Sequence, residues 1–527
     1  MSRLKRQLSR HAMTWQSPRL HWAYCALAGA TGLIALVATA PAASASAPPR
    51  NSAGAASTAG PTYWVSQTSV STADTSCRTA AYATIQPAVT AAEALEHGAH
   101  PKAVPTIKIC PGTYSEQVTI AKSLNLVRAS VRSSAGPVVI ELPASVGDDV
   151  SAGLSATNCQ ADDSATGTQR PQSVVEICAA KTGGGNTTGV SVSLSHVTIE
   201  GNWQFEDSCA VQMYGVLVDG GASLTLTDSV VEQVGDFPLQ GCQSGVGVAA
   251  GDSVTGQVGH ATLTDDTIES YQKNGVVIDG PGSTGNITGT TVTGSGPTPT
   301  IAQNGIQISF GATGSVTSST IAGNNYTGTP QDEGYYPTYA DGILVYGGGG
   351  SVCGIGKVSP LVRGVHLIGN TLTNNDLGVQ LFNVNARCDK SVSTRTRDVA
   401  CGNVIRNSHG YAGGAAAADA NIAGYETAKK VFIGYQAGVT DSGDRDVICN
   451  NQIGGTGYSQ RDATSTLPNP RPPAFVRPID VFSFAPPAHV RVFGNSYDGK
   501  AYKPHALRRS PGRTLAILVP GVSGARP

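Results

Sequence analysis

The sequence repeats one short pattern, in which a glycine is followed by alternating apolar and polar or small residues. The pattern occurs at MYGVLVDG (213–220), QKNGVVIDG (272–280), QNGIQISFG (303–311), ADGILVYGG (340–348) and DLGVQLFN (376–383). Because alternate residues of a strand point to opposite sides, we expect two apolar columns inside the fold. The first contains Val216, Val276, Ile306, Ile343 and Val379, and the second contains Val218, Ile278, Ile308, Val345 and Leu381.

The spacing of this pattern predicts a solenoid. Its glycines fall at positions 215, 245, 275, 305, 342 and 378, so that successive repeats are 30 to 37 residues apart. Between them lie stretches with strand periodicity, such as TLTDSVVEQ (225–233) and TLTDDTIES (262–270). A fixed period of this length predicts an all-β fold, a right-handed parallel β-helix. Asn residues at the turns are expected to hydrogen-bond along the coil axis.

The end of a solenoid exposes unpaired strand edges, which must be covered. The segment YATIQPAVTAAEALEHG (82–98) predicts a capping helix that begins after Thr84 and ends at Gly98. Its apolar face contains Ile85, Val89, Ala92 and Leu95. The predicted division of the chain is 1–47 as a secretory signal peptide, 48–60 as a flexible linker, 61–130 as the N-terminal cap and first coils, 131–465 as the β-helix with long insertions, and 466–527 as a Pro-rich C-terminal segment and cap.

The N-terminus has the pattern of an export signal. Basic residues precede an apolar stretch (23–40), and Ala45 and Ala47 form an A-x-A cleavage site. The alternative is an uncleaved anchor, since 18 residues could just span a bilayer. The signal interpretation predicts a secreted protein without a membrane attachment once residues 1–47 are removed.

Export also determines how the cysteines are interpreted. Ten cysteines remain after Cys25 leaves with the signal, an even number that favours structural disulfides. Spacing alone does not determine connectivity, and we take nearest neighbours as the working hypothesis. The hypothetical pairs are Cys77–Cys110, Cys159–Cys178, Cys209–Cys242 and Cys388–Cys401, with Cys353 and Cys449 left over.

The net charge argues against a nucleic-acid partner. Removal of residues 1–47 leaves 30 basic against 36 acidic residues, a formal net charge of −6. A negative protein does not bind a polyanion over its whole surface. An acidic ligand would need a local basic patch or a bridging cation.

The segment from Thr84 to Ala129 resembles the N-terminal part of pectin methylesterases and of the wider pectin lyase-like superfamily. The similar pieces are TIQPAVTAA, IKICPGTYSEQVTI and KSLNLV, in which Gly112, Tyr114 and Glu116 match as scaffold residues. The resemblance implies a parallel β-helix and a polysaccharide substrate. The catalytic motifs of esterases, polygalacturonases and pectate lyases are not found, so no catalytic residue can be assigned from this resemblance.

The residues that alternate with the apolar columns point outward and are candidates for binding a glycan. They form two further columns, Leu217, Val277, Gln307, Leu344 and Gln380, and Asp219, Asp279, Ser309, Tyr346 and Phe382. Coils about 4.8 Å apart would align them as a ladder with a pitch close to a sugar ring. The predicted substrate-binding residues on this ladder are Asp219, Gln307, Tyr346, Gln380 and Phe382. The alternative is a face that is solvated or covered by the insertions.

Three aspartates near these strands are the catalytic candidates. Asp279, Asp341 and Asp376 could supply an acid–base pair or a calcium site, although Asp before Gly is also an ordinary turn residue. Lys273 would serve as a lyase-type base only with a lowered pKa. Calcium is the candidate cofactor, and the sequence identifies no definite set of metal ligands.

The loop ARCDKSVSTRTRDVAC (386–401) supplies the basic patch. It contributes Arg387, Lys390, Arg395 and Arg397 as contacts for an acidic polymer, or it is simply a flexible surface loop. Together these features predict a secreted, monomeric β-helix that binds, and degrades or modifies, a pectin-like uronic-acid polysaccharide. The alternative is a non-catalytic extracellular solenoid with a glycan-binding, adhesive or structural role.

Overall fold

The computed structural model describes the residues between 60 and 509 with several gaps. The described residues are 60–68, 71–95, 104–130, 136–143, 170–179, 181–182, 185–186, 189–201, 211–326, 339–348, 360–383, 395–408, 436–455, 458, 476–483, 489–503 and 508–509. The predicted signal peptide lies outside them. No helix among the described residues is long and apolar enough to span a membrane.

The described chain contains one α-helix and a long succession of short strands. The first elements are β1 (Thr62–Val65), α1 (Ile85–Leu95), β2 (Thr106–Ile109), β3 (Gly112–Ser115), β4 (Val118–Ile120), β5 (Leu124–Arg128), β6 (Val138–Glu141), β7 (Arg170–Cys178), β8 (Lys181–Thr182), β9 (Gly185–Asn186), β10 (Ser191–Ser195) and β11 (Thr198–Glu200). The central elements are β12 (Val211–Asp219), β13 (Ala222–Thr227), β14 (Val230–Glu232), β15 (Val246–Ala250), β16 (Gly259–Thr264), β17 (Thr267–Glu269), β18 (Asn274–Asp279), β19 (Thr284–Thr288), β20 (Thr291–Thr293), β21 (Asn304–Ser309), β22 (Thr313–Thr317) and β23 (Thr320–Ala322). The last elements are β24 (Asp341–Gly347), β25 (His366–Ile368), β26 (Thr371–Thr373), β27 (Leu377–Asn383), β28 (Val399–Cys401), β29 (Val404–Arg406), β30 (Gln436–Asp441), β31 (Val447–Cys449), β32 (Gln452–Gly454), β33 (Val476–Ser483), β34 (Arg491–Phe493), β35 (Ser496–Tyr497), β36 (Lys500–Ala501) and β37 (Arg508–Arg509).

These strands form three long sheets. Sheet 1 has the order β1-β2-β5-β10-β13-β16-β19-β22-β25-β28-β31-β34, sheet 2 has the order β3-β6-β11-β14-β17-β20-β23-β26-β29-β32-β35-β36, and sheet 3 has the order β37-β33-β30-β27-β24-β21-β18-β15-β12-β7-β4. Within each sheet neighbouring strands come from successive coils and are parallel, except that β36 pairs antiparallel with β35. This topology confirms the predicted right-handed parallel β-helix.

The interior is formed by the two apolar columns that the sequence predicts. The strand register places Val276 beside Ile306, Ile343 and Val379 in successive coils. All ten residues of the two predicted columns are fully buried. Burial of each such side chain contributes about 1.5–3 kcal/mol, and the columns pack against the buried side chains of sheets 1 and 2 in one continuous core.

The glycines of the repeat are required by close approach between coils. The second glycine of the column is Gly247 and not Gly245, which corrects the register expected from the sequence. A Cβ on Gly247 would lie 2.6 Å from the carbonyl oxygen of Gly275 and 2.7 Å from Cγ2 of Ile268. A Cβ on Gly275 would lie at the same distance, 2.6 Å, from the carbonyl oxygen of Gly305. Each of these glycines therefore lies where a strand of sheet 3 contacts both a side chain of sheet 2 and the backbone of the next coil.

A helix forms where the capping helix is predicted, and its N-terminus is satisfied by a residue outside the helix. The predicted end at Gly98 and the side chain of Leu95 lie outside the described residues. Ile85, Val89 and Ala92 are fully buried against the first coil. The backbone N–H groups of Ile85 and Gln86 donate to the two carboxylate oxygens of Glu116, at 2.6 and 2.8 Å. The carboxylate of Glu116, and not Thr84, therefore caps the unpaired donors of the first turn.

A ladder of four asparagines runs along the corner between sheets 1 and 2. It consists of Asn370, Asn403, Asn451 and Asn495, which we call the asparagine ladder. The amide oxygens of Asn403, Asn451 and Asn495 accept hydrogen bonds from the backbone N–H and the Nδ2 of the asparagine in the preceding coil, at 2.9 to 3.0 Å. The amide oxygen of Asn370 accepts from the backbone N–H of Ser319 at 3.0 Å. Each Nδ2 also donates to a backbone carbonyl. The predicted hydrogen bonding of Asn side chains along the coil axis is confirmed.

The disulfides partly confirm the nearest-neighbour hypothesis. Cys77 bonds Cys110 as expected. Cys401 bonds Cys449 and not Cys388, because Cys401 and Cys449 are register partners in adjacent strands of sheet 1. Two further cysteines that are disulfide-bonded are Cys178 and Cys242. The remaining candidates, Cys159, Cys209, Cys353 and Cys388, lie outside the described residues.

Candidate functional site

The outward-facing residues of sheet 3 align as the sequence predicts. Gln307 lies beside Val277 and Leu344, and Leu344 lies beside Gln380. In the second column Ser309 lies between Asp279 and Tyr346, which in turn pairs with Phe382. We refer to these two columns together as the outer face of sheet 3.

This outer face is buried, and the expectation of an open ladder is wrong for most of it. Gln307 and Gln380 are fully buried, Phe382 is 1% exposed and Asp279 is 6% exposed. Tyr346 is half-buried. Towards the N-terminal coils the face becomes an apolar cluster of Leu217, Val246, Ala249 and Val277, with Tyr214 packed against it.

Three aromatic rings pack together where the face is most accessible. The ring of Tyr346 stacks on that of Phe382, with centroids 5.6 Å apart and planes 7° apart. Phe310 meets the Tyr346 ring edge-on, at 5.1 Å and 80°. Phe310 and Phe382 are buried, so they hold Tyr346 in place while part of its ring remains exposed. The sequence pattern did not reveal Phe310, which follows its strand in a left-handed turn conformation (φ 49°).

A chain of hydrogen bonds connects the polar residues of the outer face. Asn274 donates to Oε1 of Gln307 at 2.9 Å, and Gln307 donates to Oγ of Ser309 at 3.0 Å. Ser309 donates to Oδ1 of Asp279 at 2.6 Å, while the backbone N–H and hydroxyl of Ser253 donate to Oδ2. Burial raises the pKa of Asp279 to about 6 against these donors. Both carboxylate oxygens of Asp279 are therefore occupied by the protein itself.

The three candidate catalytic aspartates do not converge. Asp341 is the register partner of Asn304, whereas Asp279 is the partner of Ser309, five residues further along the strand. At about 3.3 Å per residue this separates them by roughly 16 Å along the strand direction. Asp279 therefore forms no acid–base pair with Asp341.

Asp376 lies next to Asp341 but is fully engaged by hydrogen bonds. Its Oδ2 accepts the backbone N–H groups of Tyr326 and Ala340, at 2.9 and 3.0 Å. Its Oδ1 accepts the amides of Asn325 and Gln436, at 2.5 and 3.3 Å. Burial raises the pKa of Asp376 to about 7. The carboxylate organises the segments around β24 and β27 and has no accessible oxygen.

Of the three candidate aspartates, Asp341 has the environment most similar to that of a catalytic carboxyl group. With its amide oriented to satisfy both neighbours, Gln380 donates to the two oxygens of Asp341 at 3.2 Å and accepts from the Tyr339 hydroxyl at 3.2 Å. Burial and the nearby charge of Asp376 raise the pKa of Asp341 well above its ordinary value, and the charge of Lys273 opposes this. Lys273 is itself buried and donates to the carbonyl of Ala302 at 2.5 Å. These effects shift the carboxyl group of Asp341 towards its protonated form.

The remaining predicted site residues are scattered. Asp219 is buried at the end of β12, beside Cys178. Arg395 and Arg397 are exposed on the segment that leads into β28, while Arg387 and Lys390 lie outside the described residues. Within the described part of the chain no group of three or more His, Cys, Asp or Glu side chains is arranged to hold a metal ion.

Comparison with known proteins finds similarity in structure only. No family model matches the sequence, and no curated protein matches it. The chain is similar to XylC in complex with xylose (10% identity, 75% of this chain and 69% of that chain, TM-score 0.40). It is also similar to pectate lyase Pel9A (11% identity, 85% and 82%, TM-score 0.38) and to the A-module of mannuronan C-5 epimerase AlgE4 from Azotobacter vinelandii (14% identity, 78% and 95%, TM-score 0.33). At these values the similarity carries no argument about substrate or reaction, and the β-helix is established by the register of the chain's own strands.

Proposed function

We propose that the protein binds an extended polysaccharide at the C-terminal half of the outer face of sheet 3, with Tyr346 as the main contact. The observation that supports this proposal is the cluster of three rings in which one tyrosine remains partly exposed. An aromatic ring held rigidly in this way offers an apolar surface at low entropic cost, which suits the face of a sugar ring. The disulfides Cys77–Cys110 and Cys401–Cys449 favour an extracellular location for this activity.

Binding without catalysis is favoured over catalysis by the state of the carboxylates. Asp279 and Asp376 are saturated with hydrogen bonds from the protein, and neither can accept a proton from a substrate without breaking these bonds. A glycosidase of the common kind needs two carboxyl groups flanking the scissile bond. The carboxyl group beside Asp341 is that of Asp376, whose oxygens are occupied by these hydrogen bonds.

Asp341 is also the reason to retain an enzyme as the second candidate. A carboxylic acid with a raised pKa is a suitable general acid, and Lys273 and Tyr339 lie around Asp341. If the buried site opens to substrate, Asp341 would protonate a leaving oxygen. Calcium would enter this scheme as a bridge to a uronic-acid polymer.

The first test is binding of the purified full chain to pectate, pectin, alginate and a neutral glucan, with and without calcium. We expect Tyr346→Ala to weaken binding of the preferred polymer by about 1 kcal/mol, roughly five-fold in Kd. Phe493→Ala is the matched control, because Phe493 is an exposed ring (45%) on sheet 1. Equal affinity of Tyr346→Ala and the unmodified chain would show that the contact surface lies elsewhere.

Product formation separates the two candidates. Unsaturated products that absorb in the ultraviolet would identify a lyase, new reducing ends without them a hydrolase, and released methanol an esterase. The binding proposal predicts none of these with any of the four polymers. If product does form, Asp341→Asn should abolish it while leaving affinity within about two-fold, because the substitution removes the proton donor and preserves the shape.

A further inference from the structure

Three aspartates lie together at the corner between sheet 3 and sheet 1 in the C-terminal coils. Asp398, Asp441 and Asp446, which we call the aspartate corner, are all fully buried. Asp441 occupies an inward position of sheet 3, with Leu381 as its register partner in one neighbouring coil and Val481 in the other. A carboxyl group therefore replaces an apolar side chain in one of the interior columns.

Hydrogen bonds from the protein satisfy only part of this group. Oδ1 of Asp446 accepts from the Thr396 hydroxyl at 2.6 Å and from the backbone N–H of Asp398 at 2.7 Å. The carboxyl oxygens of Asp398 accept from the backbone N–H of Val365 and from Asn383, both at 2.9 Å. Oδ1 of Asp441 accepts from the backbone N–H of Gly443 at 2.8 Å.

The second oxygens of two of these carboxyl groups depend on each other. Oδ2 of Asp441 and Oδ2 of Asp446 are buried and accept no hydrogen bond from the described residues. The two side chains are within hydrogen-bonding reach of one another. A hydrogen bond between two carboxyl groups requires that one of them carries a proton.

Among the described residues, no basic side chain forms an ion pair with Asp398, Asp441 or Asp446. Asp444, in the same turn, adds negative charge beside Asp446. Two basic side chains in this region, those of His489 and Arg445, interact with Asp444 at 3.2 and 3.9 Å. The other groups that pack around the corner from neighbouring elements are the neutral Asn383 at the end of β27, Asp480 on β33, and the exposed side chains of Arg397 and Arg491.

We propose that the aspartate corner makes closure of the C-terminal coils depend on a proton held between Asp441 and Asp446. Burial raises the pKa values of all three carboxyl groups, to about 6 for Asp446 and well above the ordinary value for Asp398 and Asp441. The charge of Asp446 adds to the shifts of Asp398 and Asp441, and the charge of Asp444 adds to that of Asp446. A folded pKa above the unfolded one means that folding takes up a proton. The corner is therefore most favourable in acid, and its contribution falls as pH rises from about 4 through the folded pKa values. The coils that contain β30 and β31 should open as the medium becomes alkaline.

Hydrogen exchange followed by mass spectrometry on the full chain between pH 5 and 8.5 tests this proposal. After correction for intrinsic exchange, protection of residues 436–455 should fall by up to ten-fold per pH unit for each proton released. Residues 284–293 are the internal reference, because this stretch of β19 and β20 contains no titratable side chain. The ratio of the two protections is the measured quantity.

Two variants make the result specific. Asp441→Asn replaces the shared proton by an amide donor, and Asp441→Leu restores the apolar column; both should keep 436–455 protected at pH 8.5. If either variant does not fold, Asp446→Asn provides the same test from the other partner. A pH slope in Asp441→Asn equal to that of the unmodified chain would overturn the proposal. So would protection of the unmodified chain restored by calcium at pH 8.5, since the corner would then hold a cation and not a proton.

Discussion

Two corners of the same coils solve one structural problem with different chemistry. The asparagine ladder and the aspartate corner both present a side-chain oxygen to a backbone N–H of the preceding coil. Asn403 accepts from Asn370 at 2.9 Å, and Asp446 accepts from Asp398 at 2.7 Å. As backbone acceptors the two side chains are equivalent.

The difference lies in what each side chain can donate. An asparagine has an acceptor and two donors, so that each member of the ladder satisfies the one before it and is satisfied by the one after it. An ionised aspartate only accepts, and where two meet, one must be protonated. The amide stack is therefore insensitive to pH, whereas the carboxyl stack is coupled to it. Replacement of one amide NH₂ group by a carboxyl oxygen therefore determines whether the stability of a corner depends on pH.

The largest effect is expected from cutting the cross-link that joins the two coils. Cys401 and Cys449 are 48 residues apart in sequence. Loss of a disulfide that closes a loop of this length lowers the free energy of unfolding by about 4 kcal/mol. The double substitution to serine should be measured by urea unfolding under non-reducing conditions. The matched control is the equivalent double change at Cys77 and Cys110, which should leave hydrogen exchange at 436–455 unchanged while the first variant accelerates it.

A smaller and pH-dependent effect is expected when the asparagine ladder is given a carboxylate. Asn403→Asp places an acceptor against the carbonyl of Leu367 and the amide oxygen of Asn451, where Nδ2 now donates at 3.0 and 2.9 Å. We expect a loss of about 2–3 kcal/mol at neutral pH. Because these acceptors and burial raise the folded pKa of the new carboxyl, part of the loss should be recovered as the pH falls towards 4. A loss that is equal at pH 4.5 and pH 8 in urea unfolding would contradict the comparison.

The smallest effect is expected from the hydroxyl group that supports the aspartate corner. Thr396→Val removes the donor to Asp446 without changing the shape of the side chain, at a cost of about 1 kcal/mol. Since this donor favours the ionised form, its loss should raise the pKa of Asp446 further. The fall in protection of 436–455 should then continue to a higher pH than in the unmodified chain, and a fall that ends at a lower pH would refute the assigned role of the hydroxyl. Thr288→Val, at an exposed hydroxyl pair with Thr317, is the control and should show neither change.

Most of the fold could be predicted from the sequence because a β-helix repeats its contacts. Alternation after each glycine was enough to identify Val276, Ile306 and Ile343 as one interior column, and the structure confirms it. Gly245 was assigned to this column in place of Gly247, since the two glycines flank Val246 at the start of the same strand and only the contact with Gly275 distinguishes them.

The features that failed all depend on neighbours one coil away. Cys388 is closer to Cys401 in sequence, but Cys401 bonds Cys449 because these two residues, 48 positions apart, stack in register. Asp441 was not recognised because it ends a strand, where an aspartate is typical of a turn. The closure of the outer face of sheet 3 could not be predicted, since alternation shows which side a residue faces and not what covers that side.

The hydrogen bonds from α1 to Glu116 impose an order on how the chain is assembled. The helix is eleven residues long, which is marginal for an isolated helix in water. The N–H groups of its first turn have no partner until Glu116, which follows Leu95 by 21 residues, has been synthesised. During synthesis the capping helix is made before the coil that it covers, and it can pack in place only after that coil has formed. The N-terminal end of the β-helix is thus completed only after its first coil has folded.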